Sequence, residues 1–165
     1  MRFLDTGLRH HVLRYIWQSL AAGAVIFLVL MLLDAVQQTA IIASLGASAF
    51  IVFAAPNSYS AEPRAVLGGY AVGTACGMLG MVAVSTLTSG GSEWTAWRAV
   101  AGAAAVAVSL FVMTVTDTEH PPASGLALAF LLNPWDMATV AVVLGAAGIL
   151  TLAGRLLKRW LLDLV

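Results

Sequence analysis

Six apolar stretches, separated by short polar breaks, run the length of the chain: 16–33, 40–55, 65–87, 99–116, 123–132 and 137–157. The first, third, fourth and sixth hold 18 to 23 residues. At about 1.5 Å per helical residue, each is roughly long enough to cross the hydrocarbon core of a bilayer. The second and fifth hold 16 and 10 residues and are short for a crossing. Continuous Ala, Val, Leu and Gly runs without alternation predict helices and argue against a β-barrel. The expected fold is therefore all-α: a polytopic membrane helix bundle with four full spans and two short helices, either half-length or re-entrant.

The short polar breaks carry interface signals. All five tryptophans, Trp17, Trp94, Trp97, Trp135 and Trp160, fall at or just outside stretch ends, where indole prefers the headgroup level. Arg2, Arg9 and Arg14 precede the first stretch, and Arg155, Lys158 and Arg159 close the last. Both termini are expected to be cytoplasmic, which requires an even number of crossings. Six crossings satisfy this, and so do four crossings with re-entrant short segments. Charge does not choose between them: with four, 90–98 is cytoplasmic and 56–64 and 117–136 are external; with six, Arg64 moves inside and Arg98 outside.

Composition fixes the class. The chain of 165 residues is 61% hydrophobic and 10% charged, with mean hydropathy +0.93, whereas soluble domains carry about 25% charged residues. One membrane domain over 1–165 is expected, in the bacterial inner (plasma) membrane. No cleavable signal peptide is expected, since the first apolar run is too long for one. Zero net charge argues against nucleic acid as a partner. The single cysteine, Cys76, reads as a small packed side chain. No P-loop or nucleophilic triad is present, and no cofactor or enzymatic activity is expected.

The two halves, 14–88 and 95–160, repeat the order span, short segment, span. Offset by 80, Ala43, Ser44, Ala47, Ala49 and Phe50 meet Ala123, Ser124, Ala127, Ala129 and Phe130. Pro56 and Pro134 follow the short segments, and the next spans share Val66-Leu67-Gly68 and Val143-Leu144-Gly145. With six crossings the halves have inverted topology, as in many transporters, where paired short segments point to the binding site. With re-entrant segments the halves are parallel. The inverted arrangement is the expected one.

Candidate chemistry gathers at the short segments. In Asp117-Thr118-Glu119-His120-Pro121-Pro122-Ala123-Ser124-Gly125, two prolines stop one helix, push His120 into extended geometry and permit a new helix to start. The N–H groups of Ala123, Ser124 and Gly125 would then be free to meet an anion. Ser44, read as the matching N-cap, would free the donors of Leu45, Gly46 and Ala47, with Ser48 one turn on. The competing reading makes Ala43/Ala47 and Ser44/Ser48 small-residue packing faces. Arg64, at the start of the third stretch, opposes the helix dipole and needs a partner: Glu62, a headgroup or a passing anion. His120 with Asp117 is a candidate for gating or proton coupling. A metal site built on Asp117, Glu119 and His120 lacks a second ligand cluster. Gly69, Gly73 and Gly77 form a close-packing stripe, within the bundle or between copies. The small size leaves a homo-oligomer open.

These residues resemble the HPP family of integral membrane proteins. The resemblance rests on His120-Pro121-Pro122 with Asp117-Thr118 before it, on the block 43–49, and on Pro63-Arg64 with Gly68-Gly69. It covers about 14–157. Tyr70 stands where relatives often have a histidine, and Ala65 where a polar residue is common. The resemblance implies a four-span transporter, and nitrite as substrate through plastid members linked to nitrite transport. The expected binding residues are Ser44, Gly46, Ala47, Ser48, Arg64, His120, Ala123, Ser124 and Gly125. The alternatives are a non-transporting scaffold or sensor subunit and, less favoured, a membrane metalloenzyme.

Overall fold

The computed structural model describes residues 8–33, 39–87 and 94–165. Arg2 and the stretch 88–93 lie outside the described residues, as do the side chains of Arg9, His10 and Trp94. Six helices follow one another: α1 (Leu8–Leu33), α2 (Thr39–Ala54), α3 (Pro63–Leu87), α4 (Trp94–Thr116), α5 (Pro121–Leu132) and α6 (Met137–Leu157). α1 is broken at His11, whose φ of −135° is not helical. α1, α3, α4 and α6 are long and apolar enough to cross a membrane, while α2 and α5 are shorter apolar helices.

Contacts between helix ends give each helix a direction. Gln18, early in α1, donates to the carbonyls of Phe53, at the end of α2, and Leu162, beyond α6. Leu164 N–H donates to the Ala54 carbonyl. The start of α3 meets the end of α4 through Arg64 and the Thr116 carbonyl. His120, just before α5, contacts the Ser60 carbonyl, just before α3. The starts of α1, α3 and α5 and the ends of α2, α4 and α6 thus share one end of the bundle, here called the terminal end. At the far end, Arg98 at the start of α4 contacts the last carbonyls of α5. Consecutive helices alternate in direction, including the two short ones.

The substantial helix contacts obey a symmetry. Exchanging α1 with α4, α2 with α5 and α3 with α6 turns α1–α2 into α4–α5, α1–α6 into α3–α4, and α2–α6 into α3–α5; the α2–α5 and α3–α6 contacts map onto themselves. Exchanged helices run in opposite directions. The sequence repeat is therefore an inverted structural repeat, with α2 and α5 crossing each other at its centre.

The two equivalent interfaces differ in tightness. On α3, a Cβ built on Gly73 would lie 2.1 Å from the Ala123 carbonyl oxygen, and one on Gly77 2.6 Å from that of Ala127. The glycine stripe thus seats α5 directly on the α3 backbone, as small residues do in membrane bundles. On α6, Gly145 and Gly148 have nothing within 4 Å, and Gly154 meets only Val52. By the Val66-to-Val143 register, the α6 counterpart of Gly73 is Leu150, which is fully buried. A buried leucine thus stands in α6 where α3 has a glycine.

Candidate functional site

The connection before α5 is built by its own sequence. α4 ends with Asp117 at φ +60°, a left-handed cap that aspartate tolerates better than most residues. Thr118 N–H returns to Met113 and Asp117 N–H to Thr114, the Schellman pattern that satisfies the last carbonyls of a helix. Thr118 then lies over Gly68, where a Cβ would come within 2.4 Å of its methyl group. His120 is extended (φ −132°, ψ 91°) and caps α5, with the two prolines in the first turn, as the steric rule for residues before proline requires.

This path drives the His120 ring into the interior, where it is 0% exposed. Nδ1 lies 2.7 Å from the Ser60 carbonyl and Nε2 2.7 Å from Ser48 Oγ. Ser48 Oγ is also 2.8 Å from the Tyr70 hydroxyl and 3.0 Å from the Ser44 carbonyl. A carbonyl only accepts, so Nδ1 carries a hydrogen and Nε2 of the neutral ring accepts. The single Ser48 hydrogen is then shared between Nε2, at the shorter distance, and the Ser44 carbonyl, while Ser48 accepts from Tyr70, giving one directed chain: Tyr70, Ser48, His120, Ser60. Burial pushes the His120 imidazole below its usual range, and the Ser60 hydrogen bond offsets this only in part. One turn before Ser48, Ser44 donates to the Pro122 carbonyl at 2.6 Å, tying α2 to the first turn of α5.

Several expected positions lie elsewhere. α2 begins at Thr39, so Ser44 is inside the helix and is not its cap. The donors of Leu45, Gly46 and Ala47 belong to the helix, and Gly46 and Ala47 lie on its exposed side. Ala123 N–H is taken by the His120 carbonyl at 2.9 Å. Ser124 turns back to the Pro121 carbonyl, and Gly125 faces open space. The ring of free backbone donors is thus replaced by a core of hydroxyls and one imidazole. Ser44, Ser48, His120 and Ala123 do come together.

Arg64 sits at the terminal end, 3.8 Å from the Asp117 carboxylate and bonded to the Thr116 carbonyl. Tyr59 donates to the Asp117 carbonyl at 2.5 Å. The partner Arg64 needed is therefore the cap of α4. Asp117 turns to Arg64 and both His120 nitrogens are occupied, so these residues do not converge on one point. No group of three potential metal ligands occurs among the described residues.

Tyr70 is the residue that site reasoning from the chain passed over. Its signal was present: a tyrosine deep in a glycine-rich span must find a hydrogen-bond partner when buried, and it is 0% exposed.

Comparison with known proteins identifies a transmembrane family. A profile described as HPP, transmembrane region, matches residues 8–161. A transmembrane protein of Dictyostelium discoideum is 35% identical over 101 residues, covering 61% of this chain and 33% of that protein. The chain thus spans about a third of the length of that curated relative. No solved structure matches. The chain belongs to the HPP transmembrane family.

Proposed function

We propose that this HPP family member is a transporter that moves a small inorganic anion, with nitrite the leading substrate, through the crossing of α2 and α5. The observation that carries the reading is the buried chain Tyr70–Ser48–His120 at the centre of an inverted repeat. Inverted-repeat transporters place their site at the interface of the halves. A bare anion in that apolar core would be strongly disfavoured. His120 is the group in the cluster that can supply a compensating charge, by taking a proton.

Protonation would make Nε2 a donor to Ser48. The Ser48 hydrogen would then turn to the Ser44 carbonyl or to an incoming anion. Proton and anion would favour each other's binding, so the transport is proton-coupled. Ser44 and Ser124 flank the crossing, and Arg64 with Asp117 forms part of the mouth. The termini face the cytoplasm, and the protein resides in a bacterial inner membrane.

Purified protein in liposomes should accelerate nitrite uptake, with a larger rate under an inward proton gradient. Uptake equal to that of empty liposomes, with the protein shown to be folded, overturns the substrate assignment. Ser44→Ala combined with Ser124→Ala should slow uptake; an unchanged rate places the path elsewhere. A scaffold reading draws support from the full hydrogen-bonding of Ser48, and it predicts no uptake of any anion.

A further inference from the structure

A concavity lies at the terminal end, between the end of α2, the start of α3 and the end of α6. Its volume is about 270 Å³, and Arg155, Lys158, Glu62 and Thr151 are among the residues that line it. Arg155 and Lys158 project from the last turn of α6 and the residue after it. Neither is ion-paired with a described carboxylate, although Glu62 lines the same cavity. Two cations and one carboxylate leave the rim with a net positive charge. Cations at the end of a membrane helix commonly snorkel outwards to the headgroups; here they border a cavity large enough for a small oxyanion.

The position of this cavity gives it a use. Val52 and Thr151 line it and are almost fully buried. Ser48 lies one helical turn beyond Val52 on α2, so the cavity and the buried cluster adjoin successive turns of the same helix. The basic pair is not repeated in the other half. In the Val66-to-Val143 register, the counterparts of Arg155 and Lys158 at the far end are Met78 and Met81.

We propose that Arg155 and Lys158 form an anion-holding vestibule that takes a small oxyanion or the phosphate of a lipid headgroup, with Glu62 limiting its affinity. The purpose assigned to it rests on the transport reading; its occupancy is measured separately from uptake. The vestibule would raise the local concentration of anion beside Val52, as charged clefts do for their ligands.

The test is thermal stabilisation of the full chain in delipidated detergent, since a ligand of the folded state raises the melting temperature by mass action. The probes are sodium nitrite and sodium phosphate, read against sodium gluconate at equal ionic strength. Phosphatidylglycerol micelles, read against phosphatidylcholine micelles, form the lipid arm. The wild type should show saturable stabilisation. The variant R155Q/K158Q should bind at least about tenfold more weakly, and E62Q about two- to threefold more tightly. Stabilisation by phosphatidylglycerol alone identifies the headgroup as the source. An R155Q/K158Q variant that binds as tightly as wild type, or a wild type that no probe stabilises, overturns the vestibule. Saturable binding without nitrite uptake overturns the transport reading and leaves the vestibule standing.

Discussion

Ser48 shows how much a single hydroxyl can organise. It sits 22 residues from Tyr70 and 72 from His120 in sequence, yet bonds to both. Ser48→Ala leaves two buried polar groups without their shared partner. Each orphaned group costs about 1–3 kcal/mol, so S48A should lower the melting temperature clearly. Tyr70→Phe removes one end of the chain and leaves Ser48 bonded to His120, at about 0.5–1.5 kcal/mol. Equal melting losses in the two variants would contradict the central place of Ser48. The pH dependence follows from the depressed His120 value. The unfolded imidazole takes up a proton near its ordinary value of about 6.5, before the folded one does. His120 therefore contributes stability that is present above that value and lost as pH falls through the folded value. Melting measured from pH 8 to pH 5 should fall more steeply for wild type than for His120→Gln; matching profiles would exclude this linkage. Ser48 and His120 were legible in the sequence because a polar residue in an apolar run, or beside a proline pair, draws attention by itself. Tyr70 was legible only as a hydroxyl in need of a partner, because that partner lies on another helix and nothing local in α3 names it.

At the scale of elements, the sequence carried the helices better than their roles. Apolar length separated four long helices from two short ones, and the proline pair marked the start of α5. α2 begins within one residue of the expected stretch, but Ser44 is not its cap, because a serine in a small-residue run fits a cap and a buried packing position equally well. Ser44 and Ser48, one turn apart, take the packing role and turn the same face to α5 and α3. The glycine stripe of α3 was legible as a close-packing face, but the identity of the helix it meets was not. That helix is α5, seated with the Ala123 and Ala127 carbonyls against Gly73 and Gly77. Gly73→Val should force the two backbones apart, at a cost of about 1–3 kcal/mol or more. Gly148→Ala, with nothing within 4 Å, should stay within about ±0.5 kcal/mol. Chemical denaturation in mixed micelles would compare them, and equal stabilities would argue against this seating of α5. On the proposed transport reading, the tighter α3–α4–α5 side is the fixed block, and movement that opens the crossing is expected at the α2–α6 side.

For the whole molecule, the decisive property is direction rather than length. α2 and α5 are too short by length alone to be assigned a crossing, with 16 and 12 residues. Yet each leads the chain from one end of the bundle to the other, because its neighbours start and finish at opposite ends. α5 begins beside Gly69, about 9 Å into α3 at 1.5 Å per residue. The folded connections at its ends make up part of the missing length. Among the described residues, Arg14, Arg64, Arg155, Lys158 and Arg159 lie towards the terminal end and Arg98 towards the far end. In the proposed orientation, the positive-inside rule puts this more basic terminal end in the cytoplasm. This arrangement separates two exposed positions that a four-crossing chain would put on the same side: Asn57, between α2 and α3, and Pro134, between α5 and α6. In a Cys76→Ser background, Asn57→Cys should react with a membrane-impermeant maleimide only after the cells are opened. Pro134→Cys should react in intact cells. Labelling of both from outside would return α2 and α5 to re-entrant loops and make the halves parallel. Opposite labelling requires an odd number of crossings between the two positions, which α3, α4 and α5 supply only if the short helix completes its passage.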